Sequence, residues 1–259
     1  MSPTPVTYRT SDGVAWITLN RPGVLNALDT DLAATLAEHA EHAALDPDVI
    51  AVVLSGAGRA FCSGMDRTAM AGGSIGEAFY RHWVRALNWL EDMPKVSLAL
   101  LHGYSIGGGL QLGLACDVRL ATDDAILGLG ASRHGIIPDG AVLRLARIVG
   151  LGRAKELALF NEDVTPAAAL AMGLVNWVCA PAELDPTLAR VLGTLRHQAP
   201  TANAHIKRLL NESFHRDPRA AIEDVMAAQR DCMESWETAE ANRAWRDKRE
   251  ALFYPRPSR

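Results

Sequence analysis

Apolar and polar positions along the chain alternate between unbroken short runs and a period of 3.6. After the Ser11-Asp12-Gly13 turn, VAWITL over Val14–Leu19 reads as a strand. Residues 30–44 carry Leu32, Leu36 and Ala40 on one helical stripe, with Thr30 as the N-cap. Residues 50–54 (IAVVL) form a continuous apolar run, which predicts a parallel strand covered on both faces. Ile75, Phe79, Trp83, Leu87 and Leu90 stand at helical spacing and predict a helix over 74–92. Residues 96–102 read as the next strand. It feeds a Gly107-Gly108-Gly109 turn, a helix to about Cys116 and a short strand over 117–120. Strands and helices in this alternation predict an α/β fold with a parallel sheet. Thr165 and Pro166 open a further helix as N-cap and first residue, and Gly173 ends it. From about residue 182 the pattern is helical, with breaks near Pro200 and Pro218. The predicted organisation is an α/β core over 1–195 followed by a helical module over 196–259.

Composition narrows the partners. The chain has 259 residues, 49% of them hydrophobic, which is enough for a sizeable core. A formal net charge of −4 with mixed signs gives no electrostatic case for nucleic acid or an anionic membrane. No apolar run approaches the ~20 residues that span a bilayer. Cys62, Cys116, Cys179 and Cys232 are far apart and form no CxxC pair, so neither a disulfide framework nor a metal site is expected, and a reducing cytoplasm is the simplest compartment. MSPTPVTYRT at the start lacks a basic segment followed by an apolar one, so it does not read as a signal peptide. His39 and His42, among Glu38 and Glu41, fall on a polar helix face and are expected to be solvated.

Two glycine loops carry the chemistry. Gly107-Gly108-Gly109 lies between a buried strand and a helix, where glycine lets backbone approach a ligand and present N–H groups. The helix N-terminus adds partial positive charge, which suits an oxyanion. By itself such a corner is also an ordinary strand-to-helix turn. It is neither a GxGxxG fingerprint nor a P-loop, since no GK[ST] follows. Upstream, Ala60-Phe61-Cys62-Ser63-Gly64-Met65-Asp66 follows the strand at 50–54 and offers a second N–H, or a loop with a capping Asp. Two such loops after consecutive strands can clamp one oxygen.

Three stretches resemble the crotonase (enoyl-CoA hydratase/isomerase) superfamily. They are LNRPGVLNAL beginning at Leu19, AFCSGMD beginning at Ala60, and HGYSIGGGLQ beginning at His102 with Ala115-Cys116-Asp117 after it. Similarity continues through Leu145 to Gly150 and Ala169 to Val175, in the family's order and over most of the chain. The resemblance implies a spiral of ββα units, a C-terminal helical trimerisation module, an acyl-CoA thioester substrate and a homotrimer or dimer of trimers. It implies an oxyanion hole made by the N–H groups of Met65 and Gly108, with Gly107 at the same corner. It further implies that the backbone around Val24, Leu25, Ala60, Ser63 and Gly64 holds CoA. No metal and no cofactor are expected, CoA being part of the substrate.

Departures from that pattern refine the chemistry. Family hydratases carry Glu where this chain has Gln111 and Ala131, and hydration uses a water held between two carboxylates. Asp139, four residues after Gly135, resembles by position a catalytic Asp of ring-epoxide phenylacetyl-CoA isomerases, dienoyl-CoA isomerases and chlorobenzoyl-CoA dehalogenases. Pro138-Asp139-Gly140 also reads as a helix cap. The run from Pro138 to Arg147 is one residue shorter than in most relatives. His82 and Trp83 lie on the helix after the first glycine loop, where His82 reads as a proton donor or as a solvated histidine, and Gln111 as a group that bonds an acyl chain or a water. Arg133 and His134 read as pocket-edge residues. The reading is an enoyl-CoA isomerase with Asp139 as proton carrier. A hydratase, a hydrolase, a decarboxylase and a non-catalytic acyl-CoA-binding protein are the alternatives.

Overall fold

The computed structural model describes residues 4–255. A hairpin starts the fold: β1 (Val6–Ser11) pairs antiparallel with β2 (Val14–Leu19) through the turn at Asp12 and Gly13, both at positive φ. The next three additions are parallel. β3 (Ala51–Gly56) lies beside β2, β4 (Val96–Leu101) beside β3, and β6 (Val118–Thr122) beside β4. β8 (Trp177–Cys179) completes a six-stranded sheet on the far side of β6. A smaller layer holds β5 (Tyr104–Ile106) parallel to β7 (Ile126–Gly128). Single bridges extend it, Ala60 and Cys62 reaching Gly103 and Ser105 on one side and Val164 reaching Leu127 on the other. Each turn of the chain therefore lays one strand in the large sheet, one in the small layer, and then a helix. This is the expected spiral of ββα units.

α1 (Thr30–Leu45) and α3 (Glu77–Asp92) pack on each other over one face of the large sheet, with Leu36, Ala40, Leu87 and Leu90 buried between them. β3 shows why its sequence reads as an unbroken apolar run. Val52 and Leu54 enter this main core, while Val53 turns to the opposite face and meets Leu98, Leu120, Leu188 and Val191. Each such side chain removed from water contributes ~1.5–3 kcal/mol. Leu188 and Val191 belong to α7 (Leu184–Leu195), which covers that second face. α8 (Pro200–Glu212), α9 (Pro218–Glu234) and α10 (Trp236–Arg246) follow. No helix among the described residues is long and apolar enough to cross a membrane.

Local expectations shift in three places. Asp29, not Thr30, caps α1, because its carboxylate accepts the Leu32 N–H at 2.9 Å and Thr30 is already helical. The helix expected over 74–92 begins at Glu77, and a separate short α2 (Arg67–Ala71) precedes it, capped by Asp66. His39 and His42 are not simply solvated: both rings pack against Tyr8, at centroid distances of 5.3 and 5.0 Å.

Candidate active site

The two glycine loops meet. Leu28 N–H donates to Gly64 O at 2.8 Å and Leu28 O accepts from Asp66 N–H at 2.8 Å. This parallel bridge uses the amides on either side of Met65, so the Met65 N–H points away from Leu28. Gly64 has φ +89°, and a Cβ there would lie 3.2 Å from Gly108 N and 3.1 Å from Ile106 O. Glycine is required by backbone conformation and by the close approach of the second loop. On that loop Gly107 has φ +56° and spends its own N–H on Gly128 O at 2.9 Å, so it forms the corner and gives no donor to a ligand. The next peptide opens α4 (Gly108–Ala115), an eight-residue helix buried along its whole length. First-turn N–H groups of a helix have no partner within it. Neither Met65 N–H nor Gly108 N–H bonds to a backbone acceptor among the described residues. Two free donors at the positively polarised end of a buried helix are placed to hold one oxygen that gains negative charge.

Two side chains brace this junction. Asn26, fully buried and at φ +55°, donates to Ala57 O, Ala60 O and Phe61 O at 2.8–3.1 Å. Arg21 reaches Asp29 at 3.0 Å and Asp66 at 3.2 Å. The Asp66 carboxyl is held below its ordinary pKa by the Ala69 N–H first and by Arg21 after it. Leu25, at φ +55°, accepts the Ser63 N–H at 3.0 Å. The structure thus gathers Leu25, Ala60, Ser63 and Gly64, with Val24 exposed beside them. Ser63 and Gly64 line the cavity described next; Val24, Leu25 and Ala60 stand behind or beside that wall.

A cavity of about 310 Å³ opens in front of the two donors. Leu28, Met65, Phe79, Trp83 and Leu129 give it apolar walls, and the Phe79 and Trp83 rings stack at 6.2 Å. Arg67, Arg133 and His134 also line it, as does Ala131. His82 is half-buried and does not line it; Trp83, one residue on, takes that place on α3. Two carboxylates reach the cavity. Asp163 is exposed and was not legible in the sequence, since the Glu162-Asp163 pair in the connection between α5 (Leu145–Phe160) and α6 (Pro166–Ala171) reads as an ordinary solvated loop. Asp139 is half-buried, and desolvation raises its pKa, against the pull of the Gly140 and Asp139 N–H groups, the Trp83 indole and Arg144. It does not cap α5, whose N-cap position is Arg144. The Gln111 side chain lines the same wall, but its Oε1 accepts the Gly140 N–H at 2.6 Å.

Known proteins resemble the chain over nearly its whole length. Residues 9–255 match the family model described as Enoyl-CoA hydratase/isomerase. The chain is 31% identical to the short-chain-enoyl-CoA hydratase of Clostridium acetobutylicum, over 91% of this chain and 92% of that one. It is 32% identical to the crotonyl-CoA hydratase of Syntrophomonas wolfei, over 93% and 94%. Among solved structures, the enoyl-CoA hydratase of Mycobacterium smegmatis superposes with a TM-score of 0.89 at 29% identity, covering 96% of this chain and 99% of that one. With the glycine corners, the spiral of ββα units and the family match all in agreement, the chain belongs to the enoyl-CoA hydratase/isomerase family of acyl-CoA enzymes, within the crotonase superfamily.

Proposed function

We propose that this enzyme moves a double bond along the acyl chain of an enoyl-CoA, with Asp139 carrying the proton. The ionised carboxylate takes a proton from the α carbon of a 3-enoyl thioester. The C–H electron pair passes into the conjugated system, and charge collects on the thioester oxygen between the N–H groups of Met65 and Gly108. Return of a proton from the carboxylic acid, after exchange with solvent, to the γ carbon gives the 2-enoyl isomer and regenerates the carboxylate. The supporting observation is that Asp139 is the half-buried carboxylate of the cavity, while the two hydratase positions hold Gln111 and Ala131. A raised pKa suits a group that must both accept and return a proton.

Hydration of a 2-enoyl-CoA is the second reading. Relatives named as hydratases favour it, and Asp163 supplies a second carboxylate at the cavity. One substrate panel separates the two: 2-enoyl-, 3-enoyl- and dienoyl-CoA in deuterated water, followed by NMR. Isomerisation with deuterium entering the α and γ positions, reduced about 10²–10⁴-fold in Asp139→Asn, is the expected result. Gly108→Val, whose Cβ falls 2.4 Å from Leu28 Cδ1 and which crowds the carbonyl site, should abolish turnover in both reactions. Formation of 3-hydroxyacyl-CoA as the main product, at a rate Asp139→Asn leaves unchanged, would replace the isomerase reading with the hydratase.

A further inference from the structure

The backbone just after Asp139 is held at two successive peptides. On one side the Gly140 N–H donates to Gln111 Oε1 at 2.6 Å. On the other, Arg144 Nη1 donates to Gly140 O at 3.0 Å. Arg144 is itself held by Glu91, which also takes Arg147 at 2.6 Å. Gln111 and Arg144 are both more than nine-tenths buried. No side chain fits at position 140, where a Cβ would stand 2.8 Å from Leu87 Cδ1 and 2.9 Å from Gln111 Oε1. Three of these neighbours come from one stripe of α3: Trp83 beside Asp139, Leu87 against Gly140 and Glu91 behind Arg144, four residues apart.

We infer that Gln111 and Arg144 are positioning residues that clamp Gly140 through the peptide before it and the peptide after it, and so fix the carboxylate of Asp139 against the cavity. The inference rests on the reading of Asp139 as the base. Gln111 stands where family hydratases have a reacting carboxylate; here its acceptor oxygen is committed to backbone, which turns a reacting position into a strut. Buried hydrogen bonds on both sides of Gly140 restrict its arrangement, and a proton carrier misplaced by about 1 Å loses on the order of 100-fold in rate.

Steady-state kinetics of Gln111→Leu, Gln111→Glu, Arg144→Met and Asp139→Asn test this, each confirmed folded by circular dichroism. Gln111→Leu and Arg144→Met should lower kcat about 10–100-fold with KM within about twofold, because the base moves while the acyl site stays. Gln111→Glu keeps an acceptor for the Gly140 N–H and should recover most of kcat. Its new negative charge stands near Asp139, so the acid limb of its pH–rate profile should move to higher pH by about one unit. The charged groups bearing on that limb are Arg144 from the same loop, Glu91 behind it, and Arg67, Arg133, His134 and Asp163 around the cavity. Wild-type kcat in folded Gln111→Leu and Arg144→Met, with Asp139→Asn dead, overturns the clamp and leaves the base in place. A rise in KM alone, or equal loss in Gln111→Leu and Gln111→Glu with an unmoved acid limb, also overturns it. Wild-type activity in Asp139→Asn overturns the underlying reading instead.

Discussion

Asp139 shows how one residue's chemistry depends on what surrounds it. Its carboxyl is pushed above the ordinary pKa by desolvation, which exceeds the opposing hydrogen bonds. A carboxyl raised in the folded state favours folding when protonated. Its contribution is present in full below the ordinary carboxylate range and is lost as pH rises through the raised value. Asp139→Asn removes that pH-dependent cost while keeping size and polarity. Thermal melts should therefore show the variant gaining stability relative to wild type as pH rises above the ordinary carboxylate range of about 4. A constant difference as pH rises would mean that Asp139 is not desolvated. The thiols show the same physics without a functional outcome: burial pushes Cys62 and Cys116 to about 12, which removes them as thiolate nucleophiles.

At the scale of elements, α4 and α8 matter most. α4 is short, and its N-terminal end matters most, where Gly108 lines the cavity and its N–H has no backbone partner among the described residues. α8 is tied to the core by Lys207 and by Asn211, whose Nδ2 donates to Glu91 O at 3.0 Å. Lys207 Nζ donates to Leu90 O at 3.2 Å, Lys95 O at 3.0 Å and Asp117 Oδ2 at 2.9 Å, joining the ends of α3 and the starts of β4 and β6. Its side chain is 9% exposed. Lys207→Met keeps the aliphatic packing and leaves the part-buried Asp117 carboxylate without its cation and the Leu90 and Lys95 carbonyls without their donor. The expected loss is about 3–5 kcal/mol in urea unfolding. A loss below about 1 kcal/mol would show that α8 is held by its apolar side chains instead.

Across the whole molecule, the C-terminal helices carry more apolar surface than the fold covers. Ile206, Leu210, Phe214, Ile222, Val225, Met226 and Met233 are exposed, as is Trp245 at 82%. Patches of this kind mark association surfaces in folded proteins. We propose a homotrimer or a dimer of trimers, with these residues between subunits. Light scattering at micromolar concentration should return three or six times the chain mass of 27.9 kDa; a monomer would refute the assembly.

The sequence determined whatever depends on neighbours along the chain. Strand and helix follow from the local period of apolar positions, so β2, β3 and α1 were legible within a few residues. Glycine corners were legible because glycine adopts positive φ, as at Gly64 and Gly107, at the least cost and lets a second backbone come close. The superfamily resemblance rested on those corners as well, and the family match covers them. Capping was less legible. Asp29 and Thr30 are both good N-caps, and the choice fell to whichever carboxylate or hydroxyl could reach Leu32 N–H. Tertiary structure decided everything that joins distant residues. Met65 points its N–H outward because Leu28 pairs with the residues on either side of it. Trp83 rather than His82 faces the cavity because α3 is rotated by its buried stripe. Gln111, Glu91, Asp139 and Arg144 converge only after α3, α4 and the loop before α5 pack together. A period read along the chain records which face of an element is buried; it holds no information on which polar atom meets which across the core, because packing in three dimensions sets that.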